Sequence, residues 1–202
     1  MFYSQQGEDI MLYRKFLNYR DGFFIELGAS GGIDYSNTLF FEKELGWKGV
    51  LIEPSKTLFN ELKNCRSNCH CLDVAISQIE GEVDFIDAGH MSGLAHTMHE
   101  THKNGWNLQS VLSYKVKSVP MSKITSDFNI KKIDLFSLDV EGGELEVLNS
   151  FDWNIPVYII LIEMAKHDLI KDEKCRDIMK LNGFKFDSII GDNEVWININ
   201  NK

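Results

Sequence analysis

The sequence predicts an α/β domain with a mostly parallel sheet and helices on both faces, and three observations carry that expectation. Apolar runs of strand length alternate with segments of helical periodicity, the pattern of strand–helix–strand crossovers. The first clear run, Phe23-Phe24-Ile25-Glu26-Leu27, leads directly into the small residues Gly28-Ala29-Ser30-Gly31-Gly32 before a helical pattern begins. Acids stand at the carboxyl ends of later runs, among them Glu53, Asp139 and Glu163, at the edge where open α/β sheets bind ligands. With 202 residues, the chain fits one domain spanning 1–202 that can bury a sizeable core.

Each element has its own local reason. Residues 8–17 carry apolar side chains at Ile10, Leu12, Phe16 and Leu17, the pattern of an amphipathic helix in front of the first strand, and the 1–21 segment is expected to cover the site. Ser36 caps a helix over 37–45 that Gly46 stops. Residues 49–53 form a second strand, after which Pro54 opens a helix through Leu58, Leu62 and Cys65. A third strand is expected over 71–76, with Asp73 inside it. Residues 82–86 and 111–119 are strand-like around a loop over 87–107, and the 87–110 stretch reads as a lid or acceptor loop. A short helix over 121–128 precedes a fourth buried strand over 133–140. A helix over 144–151 and a fifth strand over 156–163 follow. Residues 168–182 are helical with Gly183 as C-cap. Residues 185–190 and 194–199 flank Gly191-Asp192-Asn193 as a closing antiparallel hairpin.

A formal net charge of -9 argues against a nucleic-acid partner and disfavours a polyanionic substrate. The short basic pairs around Lys115 and Lys131 are too small for a phosphate-tracking groove. No apolar run reaches membrane-spanning length. The first residues lack a basic n-region and an apolar core, which predicts no signal peptide and hence a cytoplasmic protein. Cys65, Cys69, Cys71 and Cys175 are then reduced thiols, since Cys65, Cys69, His70 and Cys71 lack the spacing of metal-ligand pairs. A homo-oligomer is compatible with the composition.

The glycine-rich turn and the acids together suit a nucleoside. The G-x-G-x-x-G pattern of dinucleotide folds is absent. An acid two residues before the first glycine suits a cationic sulfonium and an ammonium group better than a pyrophosphate, which it would repel. S-adenosylmethionine combines those groups with ribose and adenine. Glu26 and the turn residues Gly28, Ala29, Ser30 and Gly31 would meet its methionine end, although a structural salt bridge from Glu26 to the amino-terminal helix is the alternative. Glu53, followed by Pro54, would accept from both ribose hydroxyls. Either Asp73 or the backbone at Ala75 would face adenine. Asp139 and Glu141 share a side of the chain while it stays extended, whereas Glu144 reads as an ordinary first-turn helix acid. His96, His99 and His102 fall on one helical face, read as a solvated helix or lid, with His90 nearby and any of them able to act as a base. Trp47 and Trp106 read as core or pocket wall.

The motifs Ser4-Gln5-x-Gly7-Glu8-Asp9, Gly22-Phe23-Phe24-Ile25-Glu26-Leu27-Gly28-Ala29, Ser36-Asn37-Thr38 and Gly46-Trp47-x-Gly49-x-Leu51-Ile52-Glu53-Pro54 resemble the FkbM family of S-adenosylmethionine-dependent methyltransferases. Ser92-Gly93-Leu94, Ser137-Leu138-Asp139-Val140-Glu141-Gly142-x-Glu144 and Ile162-Glu163 continue the resemblance in the same order. It implies a class I, Rossmann-like methyltransferase fold with a seven-stranded sheet whose last strand is antiparallel. It also implies methyl transfer, usually to a hydroxyl oxygen of a sugar, glycan, lipid or other natural product. Gly31 stands where many methyltransferases carry an acid or asparagine.

On that reading Asp139, Glu141 and Glu163 organise or deprotonate the acceptor, with Asp139 also near the cofactor. Asp139 and Glu163 would be ligands if a divalent ion such as Mg²⁺ takes part. A catalytically silent S-adenosylmethionine-binding module on the same fold is the rival expectation.

Overall fold

The computed structural model describes the chain except residues 106, 108–110, 165, 167 and 202, and the side chain of residue 102. It opens with α1 (Glu8–Phe16), β1 (Phe23–Leu27), α2 (Leu39–Leu45), β2 (Lys48–Ile52), α3 (Lys56–Cys65) and β3 (His70–Leu72). A second group holds β4 (Ala75–Ile76), β5 (Gly81–Ile86), β6 (Gly93–Leu94), α4 (Glu100–Gly105) and β7 (Ser113–Val119). The chain closes with α5 (Met121–Asp127), β8 (Ile133–Leu138), α6 (Glu144–Ser150), β9 (Val157–Glu163), α7 (Leu169–Leu181), β10 (Lys185–Ile190) and β11 (Asn193–Ile197).

The main sheet has seven strands in the order β10-β11-β9-β8-β1-β2-β3. Only β11 runs against the rest, antiparallel to both β9 and β10. The expected parallel sheet with an antiparallel closing strand is what the chain forms. Side chains alternate between its two faces, as a pleated strand requires. Ile25, Leu27, Val50, Ile52, Phe136, Leu138 and Ile160 pack with Val147, Leu148 and Met179 of α6 and α7. Phe24, Leu51, Leu135, Ile159 and Leu161 pack on the other side with Leu12, Phe16, Phe41 and Leu62 of the first three helices. Burial on both faces explains why the strands read as apolar runs rather than alternating ones.

Two expectations need correction. The run over 71–76 is not one strand: β3 pairs with β2, whereas β4 pairs with β7 of a second, four-stranded sheet ordered β4-β7-β5-β6. The chain changes partners at Asp73 and Val74, and an apolar run carries no mark of which neighbour it will bond. The helix expected from 37 begins at Leu39, because Ser36, Asn37 and Thr38 are engaged by Glu26.

Candidate active site

Strand register sets the site. Leu27 pairs with Ile52 on one side and Leu138 on the other, Leu138 pairs with Ile162, and Glu163 pairs with Asn193. The residues one step beyond the shared level are therefore Gly28, Glu53, Asp139 and Glu163, in a row along the carboxyl edge. That row straddles β1, where the strand order reverses, which is the ligand crevice of doubly wound sheets. Gly28 (φ 73°) must be glycine: a Cβ there would overlap the Asp139 carbonyl oxygen. Its N–H and that of Ala29 both donate to Ile52 O at 3.1 Å, turning the chain away from the sheet.

A cavity of about 330 Å³ opens on this edge, within the size range of small-molecule sites. Glu26, Gly28, Ala29, Ser30, Glu53, Pro54, Ala75, Asp139, Glu141 and Glu163 line it. Asp73 and Gly31 do not. Asp73 is exposed at the junction where the chain leaves the main sheet. The Gly31 carbonyl is turned to α3, accepting from Cys65 Sγ at 3.1 Å.

Glu53 is buried, with Oε2 accepting from Ser30 N at 2.9 Å and Oε1 from Ser55 N at 2.8 Å. Burial raises its pKa to about 7 against the pull of those two N–H groups. Glu26 is not paired with the amino-terminal helix; its protein partners lie in the turn after β1 and just beyond α3. It accepts from Asn37 N at 2.7 Å, Thr38 Oγ1 at 2.6 Å and Ser36 Oγ at 3.1 Å, and it lies 3.7 Å from Arg66 Nη1. It organises the turn between β1 and α2 while one side borders the cavity. Arg66, fully buried, also bonds Glu42, Gly32 O, Ser36 and Thr38. No motif marks Arg66 in the sequence.

Asp139, Glu141 and Glu163 bring carboxylate oxygens within 4.8 Å of one another. Burial first, and then mutual repulsion, raise Glu141 and Glu163 to about 9 and carry Asp139 well above its usual value. Glu163 Oε2 is buried without a hydrogen-bond partner among the described residues. Glu144 proves to be more than a first-turn acid. Its Oε1 accepts from Val140 N at 3.3 Å and Gly142 N at 3.1 Å, and its Oε2 meets buried Lys171 Nζ at 2.5 Å. It therefore grips the backbone that carries Glu141, whose φ is 54°.

Part of the 87–110 stretch borders the same cavity through Gly89–Met91, Ser92, Gly93 and Leu94. His90 Nδ1 meets Ser30 Oγ at 2.8 Å, and the ring packs edge-on against Tyr35 at 5.0 Å. The shared histidine face is not formed, because α4 starts only at Glu100. His96 bonds Glu146 Oε1 at 2.8 Å, and His99 Nδ1 meets Thr101 Oγ1 at 2.7 Å. Trp106 and the His102 side chain lie outside the described residues. Trp47 is in the core.

The Methyltransferase FkbM domain model matches residues 26–186. The chain belongs to the FkbM methyltransferase family. Among solved structures, this FkbM domain is similar to a protein from Staphylococcus aureus assigned as a caffeoyl-CoA O-methyltransferase. Identity is 9%, covering 97% of this chain and 84% of that one, with a TM-score of 0.51. A TehB-like SAM-dependent methyltransferase from Corynebacterium glutamicum is also 9% identical, over 98% of this chain and 89% of that one, with a TM-score of 0.48. Aeropyrum pernix fibrillarin, solved with natively bound S-adenosyl-L-methionine, is 9% identical over 89% of this chain and 66% of its own, with a TM-score of 0.45. No curated protein sequence matches the chain. The fold is that of class I methyltransferases, and no helix among the described residues is long and apolar enough to cross a membrane.

Proposed function

We propose that this FkbM domain transfers a methyl group from S-adenosylmethionine to a hydroxyl oxygen of a sugar, glycan or other small natural-product acceptor. The observation that carries the reading is the row of Gly28, Glu53, Asp139 and Glu163 on one cavity at the strand-order reversal. Glu53 keeps lone pairs free beyond its two backbone bonds, which suits a ribose diol. Ala75, Ile76, Phe85 and Leu94 form an apolar end fit for adenine. The sulfonium supplies an electrophilic methyl carbon.

The chain's own residues do the rest, chiefly by positioning. As the acceptor oxygen bonds the methyl carbon, the S–CH₃ electron pair returns to sulfur, and the hydroxyl proton passes to a carboxylate of Asp139, Glu141 or Glu163. A carboxylate of raised pKa is a stronger base once ionised, and a positive charge on the bound sulfonium favours that ionised form. The same three oxygens are hard donors that fit a divalent ion such as Mg²⁺, with Asp139 and Glu163 as its strand-end ligands. A bound ion would polarise the acceptor hydroxyl.

The test is calorimetric titration with S-adenosylmethionine and S-adenosylhomocysteine. Wild type is expected to bind both in the micromolar range, and Glu53→Ala to weaken both by about tenfold or more, the scale of lost hydrogen bonds to a charged group. Absence of binding by wild type would overturn the reading.

A further inference from the structure

Residues 3–9 cross the carboxyl ends of the strands as a bridge pinned at both ends. Near β1, the Tyr3 carbonyl accepts from Tyr35 N at 3.1 Å. Near β9, Glu8 Oε1 accepts from Asn193 Nδ2 at 3.1 Å, at the residue paired with Glu163. Between these anchors, fully buried Asp9 accepts from Tyr3 N at 2.6 Å and from Ser4 Oγ at 2.6 Å, and Glu8 Oε2 accepts from Gln6 N at 2.8 Å. The Gln6 amide packs on Gly191, where a Cβ would displace it. The Ser4-Gln5-Gln6-Gly7-Glu8-Asp9 motif thus builds a hydrogen-bonded frame whose two glutamines border the cavity.

Gln5 and Gln6 both line the cavity, and neither side-chain amide has a hydrogen-bond partner among the described residues. A hydrogen-bonded frame presenting two uncommitted amides into a cavity is the arrangement a binding site needs. The cavity's charge narrows what they bind. Among the described residues neither Lys nor Arg lines it, while Asp192, Glu163, Glu141 and Asp139 stand on this side. A phosphate or carboxylate on the acceptor would find no lysine or arginine there to pair with. A hydroxyl group both donates and accepts, so it satisfies an amide above and a carboxylate below.

We propose that Gln5 and Gln6 form the acceptor-binding wall and take hydroxyl groups of an uncharged, polyhydroxylated acceptor, holding one of them against Asp139, Glu141 and Glu163. The assignment rests on the methyl-transfer reading, and its test separates the two. Wild type, Gln5→Ala, Gln6→Ala and the double variant are titrated with S-adenosylhomocysteine. They are then assayed for methyl transfer from S-adenosylmethionine, with and without Mg²⁺, to glucose, N-acetylglucosamine, cellobiose, glucuronate and glucose 6-phosphate.

Both glutamines are exposed, so the variants keep the fold. Their S-adenosylhomocysteine affinity is expected within about twofold of wild type. Transfer is expected to the uncharged sugars only, with KM raised about tenfold in the double variant and kcat changed much less, as two neutral hydrogen bonds would give. Several results would overturn the wall while leaving the cofactor reading intact: an unchanged KM, transfer confined to glucuronate or glucose 6-phosphate, or no transfer to any of these sugars by a wild type that binds S-adenosylhomocysteine. Loss of S-adenosylhomocysteine affinity in the glutamine variants would assign the bridge to the cofactor instead, which also overturns the wall. If wild type binds no S-adenosylhomocysteine, the methyltransferase reading itself falls.

Discussion

Arg66 has no exposed surface, and its guanidinium joins Glu42, Glu26, Ser36, Thr38 and the Gly32 carbonyl into one network beneath the glycine-rich turn after β1. A buried cation with this many partners is costly to remove, because the carboxylates left behind lose their compensation. Arg66→Met is therefore expected to destabilise the protein by about 3–5 kcal/mol in denaturant melts, while Glu42→Gln with Arg66→Met recovers part of that loss. Full additivity of the two changes would count against a shared network. In the sequence, Glu26 is legible as a buried acid that needs a partner. Its charged partner is not, since Arg66 follows α3 and only the fold brings it there. Glu53 and Asp139 are readable for a simpler reason: each ends an apolar run, and parallel strands align their ends.

At the scale of elements, the close approach of β1 and β8 depends on Gly28. The Asp139 carbonyl sits where a side chain would begin, and φ is 73°. Gly28→Ala combines a left-handed backbone strain with an overlap against main chain, so a loss on the order of 3 kcal/mol is expected. The β1–β8 separation would widen and carry Asp139 off the row. Chemical denaturation checks the first effect and S-adenosylhomocysteine titration the second; a variant as stable and as tight-binding as wild type would refute the account. The strands and helices of the main sheet are legible because each has its own period and its own breaker. In the second sheet only β5 and β7 are, because β4 and β6 span two residues each and draw their identity from β5 and β7 rather than from local pattern. The histidine face fails for a related reason: spacing of three has meaning only where a helix exists.

Across the whole molecule, acids outnumber basic residues, giving a formal net charge of -9, and the cavity follows that balance: carboxylates line it and neither Lys nor Arg among the described residues does. Burial raises Glu53 to about 7 and Glu141 and Glu163 to about 9. Each folded pKa lies above the ordinary carboxylate value, so the stability these groups contribute is complete below about 4.5 and lost as pH rises through 7 and then 9. The unliganded protein should therefore become less stable from pH 5 to pH 9 at these sites. A fixed positive charge in the cavity reverses that cost, because it favours the ionised form of each acid. S-adenosylmethionine carries such a charge on sulfur and S-adenosylhomocysteine does not, while their other groups are the same. The preference for S-adenosylmethionine over S-adenosylhomocysteine is thus expected to grow between pH 6 and pH 9, by about threefold or more in low salt. Glu163→Gln should flatten that rise, because it removes one ionising group beside the sulfonium without removing a ribose contact. Paired titrations of both ligands at the two pH values decide it, and a ratio that stays constant would mean that the acids do not face the sulfonium.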